Sequence, residues 1–323
     1  MNVVVTGGAG FLGQLLVRAL LARGSLPGAD DATRSVQSIT VVDQVEGALR
    51  DARIRSVVGD VSDAALLAAA VTPDTGAVFH LAAVVSGTAE ADFDLGMKVN
   101  LDGTRALLSA CRTLPAPARM VFSSSVAVFG GDLPAVVTDD TTPTPQTSYG
   151  TQKLIGELLV ADHTRKGYVD GRSVRLPTIC VRPGRPNGAA SGFASGIIRE
   201  PLAGIEAICP VDPGTEMWIA SPGIAVGALI RAAELPTRQW TGPRVLNLPG
   251  LTVSVGDMVE SLRRASGEAV AARVRWQADE TIRAIVRTWP SRFETARADA
   301  MGFAPVRDFD AILREYIGRP AGR

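Results

Sequence analysis

Three consecutive serines, Ser123, Ser124 and Ser125, close an apolar run, and further along the chain Tyr149 and Lys153 stand four positions apart. On a helix, residues i and i+4 share one face, so this phenol and this ammonium would point into a common site. Free tyrosine, with a pKa of about 10, is a poor base at neutral pH. A nearby ammonium favours the phenolate and brings it towards the working range. Ser125 adds a hydroxyl able to hold a substrate oxygen, and the trio suits removal of a proton from an alcohol. A Tyr/Lys pair at this spacing also arises by chance on amphipathic helices. That reading weakens because the chain has three tyrosines, and its lysines are Lys98, Lys153 and Lys166 among 33 basic residues.

A second constellation lies at the start of the chain. Val3 to Thr6 is a β-branched apolar run, Phe11 to Ala22 has helical apolar periodicity, and Gly7-Gly8-Ala9-Gly10-Phe11-Leu12-Gly13 joins them. Glycines at 7, 10 and 13 permit a tight turn, close approach of backbone to a pyrophosphate, and close packing of helix on strand. The helix N-terminus then presents its N–H groups and dipole to the phosphates. The isolated motif would be an ordinary glycine turn; between a strand and a helix it predicts dinucleotide binding. Asp43 ends the second strand, Ile39 to Asp43, where a carboxylate accepts hydrogen bonds from the adenosine ribose and repels the extra phosphate of NADP, so NAD is the expected cofactor. The long connection before it leaves open a surface turn. Asp60 and Val61 are placed to meet the adenine, with a helix cap as the alternative for Asp60. Leu81, Ala82 and Ala83, after a structural His80, offer small side chains against which a cofactor can lie flat.

The elements that must carry these residues alternate. Further strands are expected at Arg55 to Val58, Ala77 to Leu81, Arg119 to Ser123 and Ser173 to Leu176, with helices at Asp63 to Val71, Leu101 to Arg112 and Tyr149 to Arg165. The polar stretch Gly24 to Ser38 reads as a loop. This is an α/β pattern, predicting a Rossmann-type doubly wound parallel sheet over residues 1–176, with 215–247 returning to it. Beyond Pro177 the chain becomes rich in proline and glycine, and 177–214 with 248–323 is read as a smaller, discontinuous substrate lobe containing helices at Gly256 to Ser266 and Asp308 to Ile317.

At 323 residues and 46% hydrophobic content the chain can bury a large core, and 33 basic residues against 33 acidic ones give no field for nucleic acid or an anionic membrane. The expected partner is a small molecule. Cys111, Cys180 and Cys209 lack metal or redox spacing and are read as buried fillers in a reducing compartment. No metal site is expected. With no apolar run of spanning length and no leader-like start, a cytoplasmic location is expected.

Together the glycine turn, the triple serine and the Y-x-x-x-K pair resemble the extended short-chain dehydrogenase/reductase superfamily along the whole chain. The resemblance implies catalytic roles for Ser125, Tyr149 and Lys153, and a supporting role for Asn100, in Val99-Asn-Leu-Asp-Gly-Thr104, behind the active-site helix; as a residue, Asn100 is equally compatible with a helix cap. It places Pro177, with Tyr149 and Lys153, among the cofactor contacts, and homodimerisation through a helical bundle is a family expectation. Nucleotide-sugar epimerases of this superfamily usually carry a His-Val-x-Asp-like sequence where this chain has Trp218-Ile-Ala-Ser-Pro-Gly-Ile224.

The stretches His80-Leu-Ala-Ala-Val-Val-Ser-Gly87, Asp94-Leu-Gly-Met-Lys-Val-Asn100 and Arg182-Pro-Gly-Arg-Pro-Asn-Gly188 are similar to superfamily members that oxidise the C2 hydroxyl of a four-carbon sugar acid with NAD. Such a substrate demands a cation for its carboxylate, for which arginine offers a planar fork. Arg182, Arg185 and Arg199 are the candidates, with Ser86 and Ser125 for hydroxyls; each arginine alone could equally be a surface residue. Two alternatives stay open: a UDP-sugar 4-epimerase with tightly held NAD, and a dinucleotide sensor without turnover.

Overall fold

The computed structural model describes residues 1–184, 190–240 and 242–318. Six strands, β1 (Asn2–Thr6), β2 (Ser38–Asp43), β3 (Ile54–Val58), β4 (Thr75–His80), β5 (Ala118–Ser125) and β6 (Val169–Leu176), join the edge strand Val245–Asn247 in one parallel sheet. Across the sheet the order is Val245–Asn247, β6, β5, β4, β1, β2, β3. From β1 the chain winds first to β2 and β3 on one side and then to β4 on the other. The crevice at the carboxyl ends of β1 and β4 is therefore the topological switch point, where such sheets bind ligands.

β1 shows why the sheet is buried on both faces. Val3 and Val5 enter one core with Leu16, Leu20 and Phe79, while Val4 enters the other with Val42, Leu67 and Met120, as the two-residue period of a strand dictates. Helix α1 (Phe11–Arg23) covers the first face and stops at Gly24 in the left-handed region. Helices α2 (Ala64–Ala70), α3 (Gly103–Cys111) and α4 (Ser148–Arg165) follow the strands as expected.

A second core gathers Cys180, Ile197, Cys209, Met217, Ile219, Met258, Leu262 and Leu313. Around it stand a three-stranded sheet, Thr178–Ile179, Glu216–Ala220 and Leu251–Ser254, and a two-stranded one, Ala207–Cys209 with Val274–Trp276. Helices Gly192–Leu202, Val255–Ser266 and Phe309–Ile317 pack on them. The segment 215–247, expected to return whole to the large sheet, divides instead. Met217 and Ile219 seat strand Glu216–Ala220 in the second core, whereas helix Pro222–Glu234 and strand Val245–Asn247 join the first.

The stretch read as a loop, Gly24 to Ser38, holds a small hairpin, Ser25–Pro27 with Thr33–Ser35, anchored by buried Leu26 and Val36. At its tip Asp31 accepts a hydrogen bond of 2.7 Å from Arg119, whose Nε also reaches Asp170 at 2.9 Å. Arg172 donates to the same Asp170 oxygen at 2.8 Å. Both arginines are fully buried and also donate to the carbonyls of Ala232, Ala233 and Leu235 at the end of helix Pro222–Glu234. A helix carboxyl end carries partial negative charge, so it and the two carboxylates balance the buried cations. The three cysteines are free and buried. Among the described residues no helix is long and apolar enough to cross a membrane.

Candidate active site

The glycine turn is closed by backbone. Gly7 has φ +72°, and a Cβ there would lie 2.7 Å from the Ala82 nitrogen, while one on Gly13 would lie 2.1 Å from the Gly7 carbonyl oxygen. Neither place admits a side chain. Helix α1 begins with Phe11 and Leu12 behind Gly10, with no side-chain cap and no acid in its first turn. The positive end of its dipole therefore meets no side-chain carboxylate of its own and faces the place of an anion. Leu81 and Ala82 leave β4 hydrogen-bonded to the backbone and hydroxyl of Thr6, and Ala83 follows them, so the wall opposite the glycines is low. This cradle fits a dinucleotide pyrophosphate.

Asp43 ends β2 and accepts from the Ala9 N–H at 3.0 Å and the Gln44 N–H at 2.8 Å. It thus ties the glycine turn to the strand end where the ribose hydroxyls would arrive. Asp60 accepts from Ser62 N–H and Oγ and pairs with Lys98 at 2.8 Å. The Lys98 ammonium, with the Ser62 bonds, brings its carboxyl down to about 2. Asp60 does not cap the next helix; Asp63 does. Val61 is buried against Gly103.

At the end of β5, Ser125 accepts from the Ala127 N–H at 3.1 Å, and its hydroxyl is near enough to the Tyr149 phenol to favour the phenolate. Lys153, buried one turn along α4, donates to the Ser123 carbonyl at 2.8 Å, with its Nζ 4.9 Å from the centre of the Phe122 ring and 5.6 Å from that of Tyr149. The three residues expected to act together are thus side by side. The electrostatics differ from expectation. Burial pushes the Tyr149 phenol up to about 12, opposed by the Ser125 hydroxyl and by the Arg182 guanidinium. Lys153 is itself brought down to about 8 by burial, against the pull of Glu157. Burial thus makes the ammonium itself costly to charge.

Asn100 lies in a π-helical turn, Met97–Asp102, that runs into α3, and it caps no helix. Its Oδ1 accepts from the Val84 N–H at 2.9 Å, and its Nδ2 donates to the Val84 carbonyl at 3.2 Å and to Gln152 Oε1 at 2.8 Å. It therefore clamps the segment after β4 to α4 beside Lys153, a role in positioning. His80 is likewise structural. Thr104 gives its hydroxyl hydrogen to the Asn100 carbonyl and so accepts from His80 Nε2 at 2.9 Å, leaving Nδ1 to accept from Thr6 at 2.6 Å. Burial brings the imidazole down to about 3, so it is neutral.

Pro177 follows Leu176, the partner of Ser125 in the sheet register, where the chain crosses from β6 into the second lobe. Arg182 lies just beyond, its Nη2 donating to Ser191 at 2.8 Å and its Nε to the Ile179 carbonyl at 3.2 Å. It faces the Tyr149 phenol electrostatically. Arg199 does not offer a free fork: it binds the Arg182 carbonyl at 2.8 Å and Glu200 at 2.5 Å. Arg185 lies outside the described residues. Ser86 opens the short helix Ser86–Ala91, which packs on α4 through Glu90, whose carboxylate accepts from the Ser148 N–H at 2.9 Å. Sequence reasoning missed Gln152, Glu157 and Arg175; the signal present was that Glu157 continues the Tyr149, Lys153 spacing by one more turn.

The profile of the NAD dependent epimerase/dehydratase family matches residues 3–217. The chain belongs to that family. NAD is accordingly its cofactor. Among relatives, the chain is 56% identical over 98% of both chains to the D-erythronate dehydrogenase of Cupriavidus necator, and 42% identical to that of Haemophilus influenzae, over 98% of this chain and 99% of the relative. Among solved structures it is similar to a nucleoside-diphosphate-sugar epimerase from Agrobacterium tumefaciens, with TM-score 0.90 and 42% identity, covering 98% of this chain and 93% of the other.

Proposed function

We propose that this protein is a dehydrogenase that oxidises the C2 hydroxyl of a four-carbon sugar acid, D-erythronate, to the 2-oxo acid with NAD. The observation that carries the reading is a cation without an anion beside the catalytic phenol. Among the described residues Arg182 forms no ion pair; it is held by a carbonyl and a serine hydroxyl while facing Tyr149. Burial lowers its tendency to stay charged, and a substrate carboxylate would restore the balance through a two-pronged contact. A carboxylate held by Arg182 would bring the hydroxyl of the adjacent carbon towards Tyr149 and Ser125, as oxidation of a 2-hydroxy acid requires.

In the reaction Ser125 holds the substrate oxygen, Tyr149 takes the hydroxyl proton, and Lys153 and Arg182 favour the phenolate that must form. Bound NAD supplies the acceptor for the hydride leaving the same carbon. The phenol is protonated in the resting site, so oxidation is favoured by alkaline pH. The glycine cradle, Asp43, Asp60, Val61, Leu81, Ala82, Ala83 and Pro177 are assigned to the cofactor, and Asn100 to positioning α4.

A second reading, nucleotide-sugar epimerisation, is favoured by the likeness to the Agrobacterium epimerase. Against it stands Trp218-Ile-Ala-Ser in place of the His-Val-x-Asp pattern. NADH absorbance separates the two. The purified protein should produce NADH stoichiometrically from D-erythronate, and isomer exchange on a UDP-sugar with no NADH would overturn the assignment.

A further inference from the structure

Tyr149 and Lys153 are two points of a longer row. Glu157 stands one further turn along α4 on the same face, and it is buried. Each member of the row meets a different serine of β5. The Ser125 hydroxyl neighbours the Tyr149 phenol and favours its ionised form, the Ser123 carbonyl accepts from Lys153 at 2.8 Å, and the Ser124 hydroxyl donates to Glu157 Oε1 at 2.5 Å. The carboxylate is also gripped by Arg175 of β6, Nε at 2.8 Å and Nη2 at 2.7 Å, and Arg175 in turn reaches Asn247 and lies over the Phe129 ring.

We propose that Glu157 is a positioning residue of the active site: through Ser124 it fixes the register of α4 on the serine strand, and as countercharge it keeps Lys153 protonated. The proposal rests on the reading of Tyr149 and Lys153 as the catalytic pair.

The charge argument follows from what surrounds the ammonium. On its own helix Lys153 has Tyr149 and Glu157; β4 contributes His80, neutral and hydrogen-bonded; β6 contributes Arg175, already paired with Glu157; and Arg182 faces Tyr149 from the second lobe. The one anion among these is Glu157. The direct contacts of Lys153 are a carbonyl and two ring faces, none of which carries a full charge. Burial already brings the lysine down to about 8, and Glu157 is what opposes that fall.

The three lysines make the test direct. Protein labelled with ε-13C lysine gives three ε-methylene signals, and the one lost in Lys153→Arg belongs to Lys153. Its titration midpoint is read without cofactor or turnover. Glu157→Gln should move that midpoint about one pH unit lower, the small end of what an opposite charge at close range supplies, and Glu157→Asp should restore most of it. Ser124→Ala should leave the midpoint in place while lowering the melting temperature. If Glu157→Gln does not fold because Arg175 is left unpaired, the paired variant Glu157→Gln/Arg175→Gln removes both charges and should move the midpoint the same way. An unmoved midpoint in the folded variant overturns the proposal. Tyr149→Phe is run alongside: full NADH production by that variant would overturn the catalytic reading instead, so the two failures are distinguishable.

Discussion

Alanine at Gly13 and alanine at Gly10 should fail in different ways. A Cβ on Gly13 would sit 2.1 Å from the Gly7 oxygen, 2.6 Å from the Gly8 Cα and 2.9 Å from the Gly7 carbonyl carbon, all of them backbone. Ordinary contact begins near 3.4 Å, so the turn must move by more than 1 Å, and no flexible side chain is present to yield. Overpacking of this kind costs about 1–3 kcal/mol, and obstruction on every side places Gly13→Ala at the upper end, about 3 kcal/mol. At an unfolding entropy of about 2.1 cal/mol/K per residue, a chain of 323 residues loses about 1.5 °C per kcal/mol, so the melting temperature should fall by about 4 °C. Gly10 differs. Its backbone, φ −69° and ψ 171°, suits any residue, and its Cβ would lie 3.2 Å from a single atom, the Gly7 oxygen. Gly10→Ala, which asks the Gly7 oxygen to give by only a few tenths of an ångström, should cost less than about 1 kcal/mol, yet bind NAD about tenfold more weakly, a loss of about 1.4 kcal/mol. Thermal melts with and without NAD, plus calorimetric titration, measure both. If Gly13→Ala melts and binds like the parent, or Gly10→Ala proves the less stable, the close-packed cradle is wrong.

Asp43→Ala should reduce the preference for NAD over NADP about tenfold, measured as the ratio of kcat/KM values, because the carboxylate that repels an extra phosphate is gone. Arg182→Ala should raise the KM for D-erythronate at least tenfold and leave NAD affinity unchanged in a binding titration; an unchanged KM assigns the carboxylate to another group. Burial brings His80 down to about 3 from its ordinary value of 6.5, so the unfolded chain should bind more protons between those values and stability should fall as pH drops through that window. Between pH 7 and 5 this one imidazole should cost about 2 kcal/mol, and His80→Asn, although less stable at pH 7, should show a shallower loss in urea melts.

Much of the site could be read from residue order because it is built from local patterns. The glycine turn, Asp43 at a strand end and the Tyr149/Lys153 spacing each lie within one or two consecutive elements, where period and turn chemistry act directly. What escaped is built from distant partners. In the order of residues Glu157 and Arg175 are one charge on a helix and one on a strand, and only the packing of α4 on β5 and β6 makes them a buried pair beneath Ser124. The same holds for Arg119 and Arg172, whose burial depends on Asp31, Asp170 and a helix end from three other segments. Strand Glu216–Ala220 joins the smaller sheet rather than the large one because an apolar run carries no label for its partner, and its antiparallel pairing with Leu251–Ser254 is a tertiary fact. The phenol's rise comes from burial, a quantity that spacing does not contain.

The Asp31 hairpin also bears on the order in which the chain can fold. Its carboxylate accepts from the Thr237 N–H at 3.0 Å across 206 residues of sequence, and its other main partner, Arg119, is 88 residues away. Contacts that close such long loops lose chain entropy before they return any energy, so they form late. The hairpin can dock only after β5 and β6 stand side by side and helix Pro222–Glu234 has ended against them. Trp240, over whose ring Arg172 lies at 5.4 Å, sits in the same cluster. In a variant whose other three tryptophans are phenylalanine, its fluorescence during refolding should report completion of the large domain, and Asp31→Ala should speed unfolding far more than it slows folding.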